Sequence, residues 1–155
     1  MLKYIEAGLS YKEIPNEICL IIYVSGCMQR CKECHTPWLR KHNYGDKLLE
    51  NYKQLIDLYS NYISCVCFLG EGLNTEVEHN EYKEIVKYIH QKGLKAGLYS
   101  GRDTTIEVWM KIFDYIKLGS YQKDKGTLYN KNTNQRLYKK ESKKYIDITN
   151  LFWNE

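Results

Sequence analysis

Apolar positions along the chain follow two alternating rhythms. Residues 18–25 (ICLIIYVS) and 63–69 (ISCVCFL) have strand length and β-branched content, and turn residues close each run, Gly26 after the first and Gly70, Glu71 and Gly72 after the second. Between them Leu48, Leu49, Tyr52, Leu55, Ile56 and Tyr59 recur at helical spacing, which predicts a helix over residues 46–61 with Asp46 as its N-cap. Tyr82, Ile85, Val86 and Ile89 mark a second helix stopped by Gly93, and residues 94–99 (LKAGLY) a third strand running into Ser100 and Gly101. Ile106, Trp109, Ile112 and Phe113 predict a helix over residues 104–113, followed by a short strand at 115–118. Residues 126–135 are polar and turn-rich, and segments 136–139 and 145–148 read as late strands that finish a sheet edge.

Strands alternating with helices predict an α/β fold, a parallel sheet covered by helices. A closed eightfold barrel takes about 250 residues, and this chain has 155. The expectation is therefore a partial, open (β/α) barrel: a mostly parallel curved sheet with outer helices. No linker, repeat or low-complexity tract interrupts residues 1–155, so one domain is expected. Such folds place their sites at the C-terminal ends of parallel strands. That would bring the segment after Gly26, the turn at residues 70–72, and Ser100 with Gly101 to one rim.

The composition, 43% hydrophobic and 27% charged, is that of a globular protein and not of a disordered or fibrous one. A net charge of +4 with scattered lysines gives no reason to invoke nucleic acid. The exception is residues 138–145 (YKKESKKY), for which a solvated charged face is the ordinary meaning. No run approaches the roughly 18 to 20 apolar residues of a membrane span, and the first residues lack a signal-peptide layout, so no membrane partner and a cytoplasmic location are expected. In a reducing compartment three cysteines close together are metal ligands sooner than disulfides. Cys27, Cys31 and Cys34 form such a group, spaced C-x3-C-x2-C. Cys65 and Cys67 share one face of a strand and, like Cys19, read as core thiols.

Three thiolates in a short loop can wrap one iron–sulfur cubane, since soft sulfur ligands favour such clusters. Electron-carrier clusters use four cysteines, so a three-cysteine set leaves one iron open to a substrate or external ligand. A reading of a different class is a zinc-stabilised binding module. It needs a fourth ligand from His35 or His42, and His35 adjoins Cys34 too closely for easy joint ligation. His79 and His90 read as ordinary polar residues of the next helical region. Glu71 either moves a proton or holds its turn, and Ser100 either contacts a cofactor or caps the segment after it. Asn134, Gln135 and Arg136 either recognise a partner or form a hydrogen-bonded turn.

The segment GCMQRCKECHTP at residues 26–37 is similar to the signature of radical S-adenosylmethionine enzymes. More narrowly, the chain resembles the small activating proteins of anaerobic ribonucleoside-triphosphate reductase, through VSGC at 24–27, CHTP at 34–37, YSG at 99–101 and TNQR at 133–136. The resemblance implies a 4Fe-4S cluster on Cys27, Cys31 and Cys34, with S-adenosylmethionine chelated at the open iron. It implies one-electron cleavage to methionine and a 5'-deoxyadenosyl radical, which takes a hydrogen from a glycine of the reductase. A low-potential electron donor such as flavodoxin would supply the electron. The positions matching cofactor contacts are Glu33, Cys34, His35, Gly70, Glu71 and Gly72, to which Ser100 is added as a candidate. The chain departs from the family pattern at Leu69 (usually glycine), Gly72 (commonly proline), Glu33 (often aromatic) and Leu118 (aspartate in many activators). An activase of another glycyl-radical enzyme, or another small radical enzyme of the superfamily, is the alternative within this resemblance.

Overall fold

The computed structural model of the chain describes residues 1–26 and 45–153. Strand β1 (Lys3–Ser10) runs antiparallel to β2 (Cys19–Val24), with Tyr4 opposite Val24 and Ser10 opposite Cys19. A two-residue strand β3 (Asp46–Lys47) pairs with the start of β1 and leads into helix α1 (Leu48–Tyr59). Strand β4 (Cys65–Leu69), helix α2 (Glu76–Gln91), strand β5 (Lys95–Tyr99) and strand β6 (Tyr115–Leu118) follow, and a hairpin of β7 (Arg136–Glu141) and β8 (Lys144–Asp147) comes last. The eight strands among the described residues form one sheet in the order β3-β1-β2-β4-β5-β6-β7-β8.

This arrangement overturns the expected partial (β/α) barrel with its mostly parallel sheet and outer helices. The sheet is mixed: β2, β4, β5 and β6 are parallel neighbours, while β1, β3, β7 and β8 join antiparallel at the two edges. The described residues hold two α-helices, too few to surround a barrel. Two local causes account for the difference. The first strand, KYIEAGLS, hides in the sequence because most of it is only half-buried, so no clean alternation marks it. The helix expected over residues 104–113 shrinks to a 3-10 turn at Val108–Ile112, because Glu107 stays extended (ψ 156°) and the β-branched pair Thr104 and Thr105 favours helix poorly. Asp46, expected as the N-cap of the first helix, instead belongs to β3, and Lys47 holds the cap position.

The four parallel strands are apolar on both faces, as strands covered on both sides require. On one face Leu20, Ile22, Val24, Val66, Phe68, Ala96, Leu98, Ile116 and Leu118 meet the buried residues of α1 and α2. Helix α2 begins in a capping box: the Thr75 hydroxyl accepts the Glu78 N–H (3.4 Å), and the Glu78 carboxylate accepts the Thr75 N–H (3.3 Å). On the other face Cys19, Ile21, Cys65, Cys67, Tyr115 and Leu137 pack under Ile14 and Leu128 from the flanking loops. Ile14 fits there because position 97 is glycine, where a Cβ would come within 2.8 Å of the Ile14 Cδ1.

Candidate functional site

Four strand ends converge where β2, β4, β5 and β6 finish. Register pairs Tyr23 with Leu69, Leu69 with Tyr99, and Tyr99 with Lys117, so these residues form one row across the sheet. Tyr23, Leu69 and Tyr99 pack with the face that the helices leave uncovered. Strand β2 exits through Gly26, whose φ of +89° suits glycine, directly before Cys27. A Cβ at Gly26 would lie 3.5 Å from the Gly72 carbonyl carbon, so the exit of β2 leans on the turn after β4.

That turn is held from several sides. The Gly70 N–H donates to the Tyr99 carbonyl (3.0 Å), and the Tyr82 hydroxyl, from inside the core, donates to the Gly70 carbonyl (2.6 Å). Gly70 has a φ of +121°, and a Cβ there would meet the Val24 carbonyl oxygen at 3.0 Å. Glu71 is buried and takes two hydrogen bonds from Arg102, whose guanidinium also binds Glu107. The hydrogen bonds that the guanidinium donates to Glu107 and Glu71 hold it protonated beyond its usual range. The Arg102 bonds in turn hold Glu107 below the usual carboxylate range, outweighing its partial burial. Beside them the His79 ring stacks on Trp109 (4.0 Å between centroids, 8° apart) and shares a hydrogen bond with Asn74 (2.6 Å). Burial keeps His79 below its usual value.

Of the residues singled out in the sequence, Gly70, Glu71, Gly72 and Ser100 share this rim. Cys27, Cys31, Glu33, Cys34, His35 and His42 lie outside the described residues. Ser100 is fully buried, and its hydroxyl accepts the Arg102 N–H (3.2 Å), which caps the turn after β5. Asn134 and Arg136 serve local structure: the Asn134 amide donates to the Ser120 carbonyl (3.0 Å), and Arg136 sits 3.7 Å from Asp147. Leu118 points into the helix-side core, where an apolar residue belongs. Cys19, Cys65 and Cys67 are reduced and buried in the sheet. Desolvation pushes the Cys67 thiol well up, and a hydrogen bond with Cys19 that favours the protonated thiol, together with burial, does the same to Cys65. Among the described residues no group of three or more His, Cys, Asp or Glu is placed to hold a metal ion.

Sequence reasoning missed Tyr82, Arg102 and Lys117. The Lys117 ammonium is buried at the same strand ends and donates to the Ser100 (3.1 Å) and Gly119 (2.9 Å) carbonyls. Arg102 could have been found as the charge that follows Tyr99-Ser100-Gly101 at one strand end, opposite Glu71 at the next. Tyr82 carried no such signal, since a tyrosine on an apolar helix stripe reads as core.

Residues 18–138 match the model of the 4Fe-4S single cluster domain family, and the chain belongs to that family. It is thus an iron–sulfur protein with a domain for a single 4Fe-4S cluster. No curated protein and no solved structure matches the chain. The donor chemistry fits the group. Three of the six cysteines are locked in the core. The other three follow Gly26 in the sequence and carry the soft sulfur donors that such a cluster takes. No helix among the described residues is long and apolar enough to cross a membrane.

Proposed function

We propose that this iron–sulfur protein is a radical-generating activase. With a 4Fe-4S cluster on Cys27, Cys31 and Cys34 it cleaves S-adenosylmethionine and places a glycyl radical on an anaerobic ribonucleoside-triphosphate reductase. The observation that carries the reading is the count of clustered cysteines: three where an electron-carrier cluster takes four, in a segment that follows Gly26 at the end of β2. When bound and reduced, such a cluster supplies the electron that splits the sulfonium into methionine and a 5'-deoxyadenosyl radical.

The chain's own residues bind and shield. Gly26 lets the exit of β2 lie against the turn after β4, where a Cβ would sit 3.5 Å from the Gly72 carbonyl carbon. Arg102 neutralises one of its two carboxylate partners in place, so the rim keeps a fixed charge that needs no rearrangement when substrate arrives. Tyr23, Leu69 and Tyr99 give an apolar floor next to the reacting end, which keeps water from a radical. A glycine-bearing loop of the reductase would complete the enclosure, and a flavodoxin-like donor in the cytoplasm would deliver the electron.

The test is to mix the reconstituted, reduced protein with S-adenosylmethionine and the reductase under anaerobic conditions and record the electron paramagnetic resonance spectrum. A glycyl-radical doublet on the reductase, with one 5'-deoxyadenosine formed per radical, supports the reading. Cleavage without the doublet points to another glycyl-radical enzyme or a small substrate.

A further inference from the structure

The β7–β8 hairpin carries the chain's unbalanced charge. Lys139, Lys140, Lys143 and Lys144 lie on it, and Lys111 stands beside it, since the Lys140 ammonium donates to the Lys111 carbonyl (2.6 Å). Arg136 and Asp147 balance each other at 3.7 Å, which leaves Glu141 as the hairpin's other carboxylate. Five lysines against Glu141 give a surplus of four, as large as the net charge of +4 for the whole chain. Among the described residues none of the five pairs with a carboxylate. The carboxylate of Asp114, below the hairpin, is taken by His90 and the Ala96 N–H (2.8 Å each). The array is also pinned: the Tyr145 hydroxyl donates to the Phe113 carbonyl (2.6 Å) and the Lys140 N–H to the Asp114 carbonyl (2.7 Å). Like charges held together repel, and an anionic partner relieves them.

The same hairpin ends in an open strand. β8 is last in the sheet, so among the described residues no strand pairs with its outer edge. The Ile148 N–H bonds to the Leu137 carbonyl (2.9 Å), and backbone groups alternate sides along an antiparallel strand. Those of Tyr145 and Asp147 therefore face outward. We propose that this edge is a docking site for an acidic, extended segment of a partner protein, which adds as a strand along β8 and sets its carboxylates against the hairpin lysines. A nucleic acid would answer the charge but has no peptide groups to pair with the edge, so the strand edge favours a peptide. Arg136 pairs with Leu118 and Lys139 with Tyr115, which puts the turn of the hairpin at the starts of the parallel strands, opposite the Gly26 exit. Docking there leaves the rim uncovered, and the inference stands apart from the activase reading.

The probe is a fluorescent synthetic peptide of alternating threonine and glutamate, titrated with the full-length protein at low salt and followed by anisotropy. Binding is expected, and it should weaken as salt is raised. The double variant Lys143→Gln with Lys144→Gln, at two exposed positions, should bind about tenfold more weakly, the loss of two exposed ion pairs. A peptide N-methylated at alternate residues keeps every carboxylate but cannot pair with the edge, and it too should bind at least about tenfold more weakly. Hydrogen exchange gives a readout that charge alone would not move: the unmethylated peptide should slow exchange of the Tyr145 and Asp147 amides. Failure of the wild-type protein to bind the peptide would overturn the inference. So would equal binding of the methylated peptide, unprotected β8 amides in the complex, or tighter binding of an oligothymidylate of equal charge. A double variant that self-associates while the wild type binds no peptide would show that the lysines serve only to keep two strand edges apart. The wild-type arms decide the matter even if the double variant does not fold.

Discussion

Arg102 grips Glu71 through two parallel hydrogen bonds, Nε to Oε2 at 2.7 Å and Nη2 to Oε1 at 3.1 Å, across the ends of β5 and β4. Glu71 is 7% exposed and Arg102 28%, so the pair is sheltered on the carboxylate side and open on the other. Removing the guanidinium leaves a buried carboxylate without its partner, which costs more than the pair itself contributes. Arg102→Ala should therefore lower stability by about 2 kcal/mol. Glu107→Gln, at a site 35% exposed, should lower it by less than about 1 kcal/mol. Urea denaturation of the two variants checks the order, and equal midpoints would refute it.

A second buried carboxylate closes the opposite end of the sheet. Glu17 accepts hydrogen bonds from Lys95 (3.0 Å) and from the Tyr115 hydroxyl. Burial pushes its carboxyl up, but bonds from Ser64, Tyr115 and Lys95 and the Lys95 charge outweigh burial and leave it below the usual range. A depressed folded-state value stabilises the protein fully above the unfolded carboxyl value, about 4.3, and this contribution disappears as pH falls through the folded value. Stability should thus decline below about pH 4.3 in wild type, and less steeply in Glu17→Gln. That variant should itself cost about 1–2 kcal/mol at neutral pH. Thermal melts from pH 7 to pH 3 report both, and identical acid limbs would show that Glu17 is not the group concerned.

Gly70→Ala tests the strand-end turn as backbone. A Cβ there meets the Val24 carbonyl oxygen at 3.0 Å and must accept a φ of +121°. Such strain costs about 1–3 kcal/mol. Melting should fall accordingly, and S-adenosylmethionine binding should fall with it. Gly93→Ala, with φ +76° and open space around the position, should lower stability less and leave binding unchanged. Equal effects on binding would separate the turn from the site.

How far the sequence foretold this structure depends on whether the signal is local. The runs that became β2 and β4 are apolar along their whole length, and helix α2 carries its stripe and a stop at Gly93, so each was legible, although its Thr75 cap was not read. The antiparallel β1 was not. Its residues are mostly half-buried, and its identity comes from pairing with β2. The segment around Trp109 shows helical spacing, yet it has room for only one turn between Glu107 and β6. These two misreadings turned a mixed sheet into an expected barrel. In the site, the glycines and Ser100 stood out by position, whereas the Arg102–Glu71 pair spans 31 positions and Tyr82 meets Gly70 through a hydroxyl that periodicity does not register.

Cysteine substitutions should divide into two groups. Cys31→Ala should abolish stable iron binding while leaving the sheet folded, since none of the described strands includes residue 31. Cys65→Ala removes a buried thiol that acts as a small apolar side chain, and should cost about 1–2 kcal/mol with iron per folded chain unchanged. Iron and sulfide analysis beside circular dichroism separates them. Iron loss in Cys65→Ala without unfolding would place a ligand in the core and contradict the assignment.

The most direct test of the central claim needs only this protein, its cluster and S-adenosylmethionine. After anaerobic reconstitution with iron and sulfide and reduction by dithionite, 5'-deoxyadenosine and methionine are quantified against bound iron. The account predicts about four irons per chain for one 4Fe-4S cluster, with both products formed in equal amounts and both lost in Cys31→Ala. A loaded cluster that yields neither product, or zinc bound in its place, would contradict it.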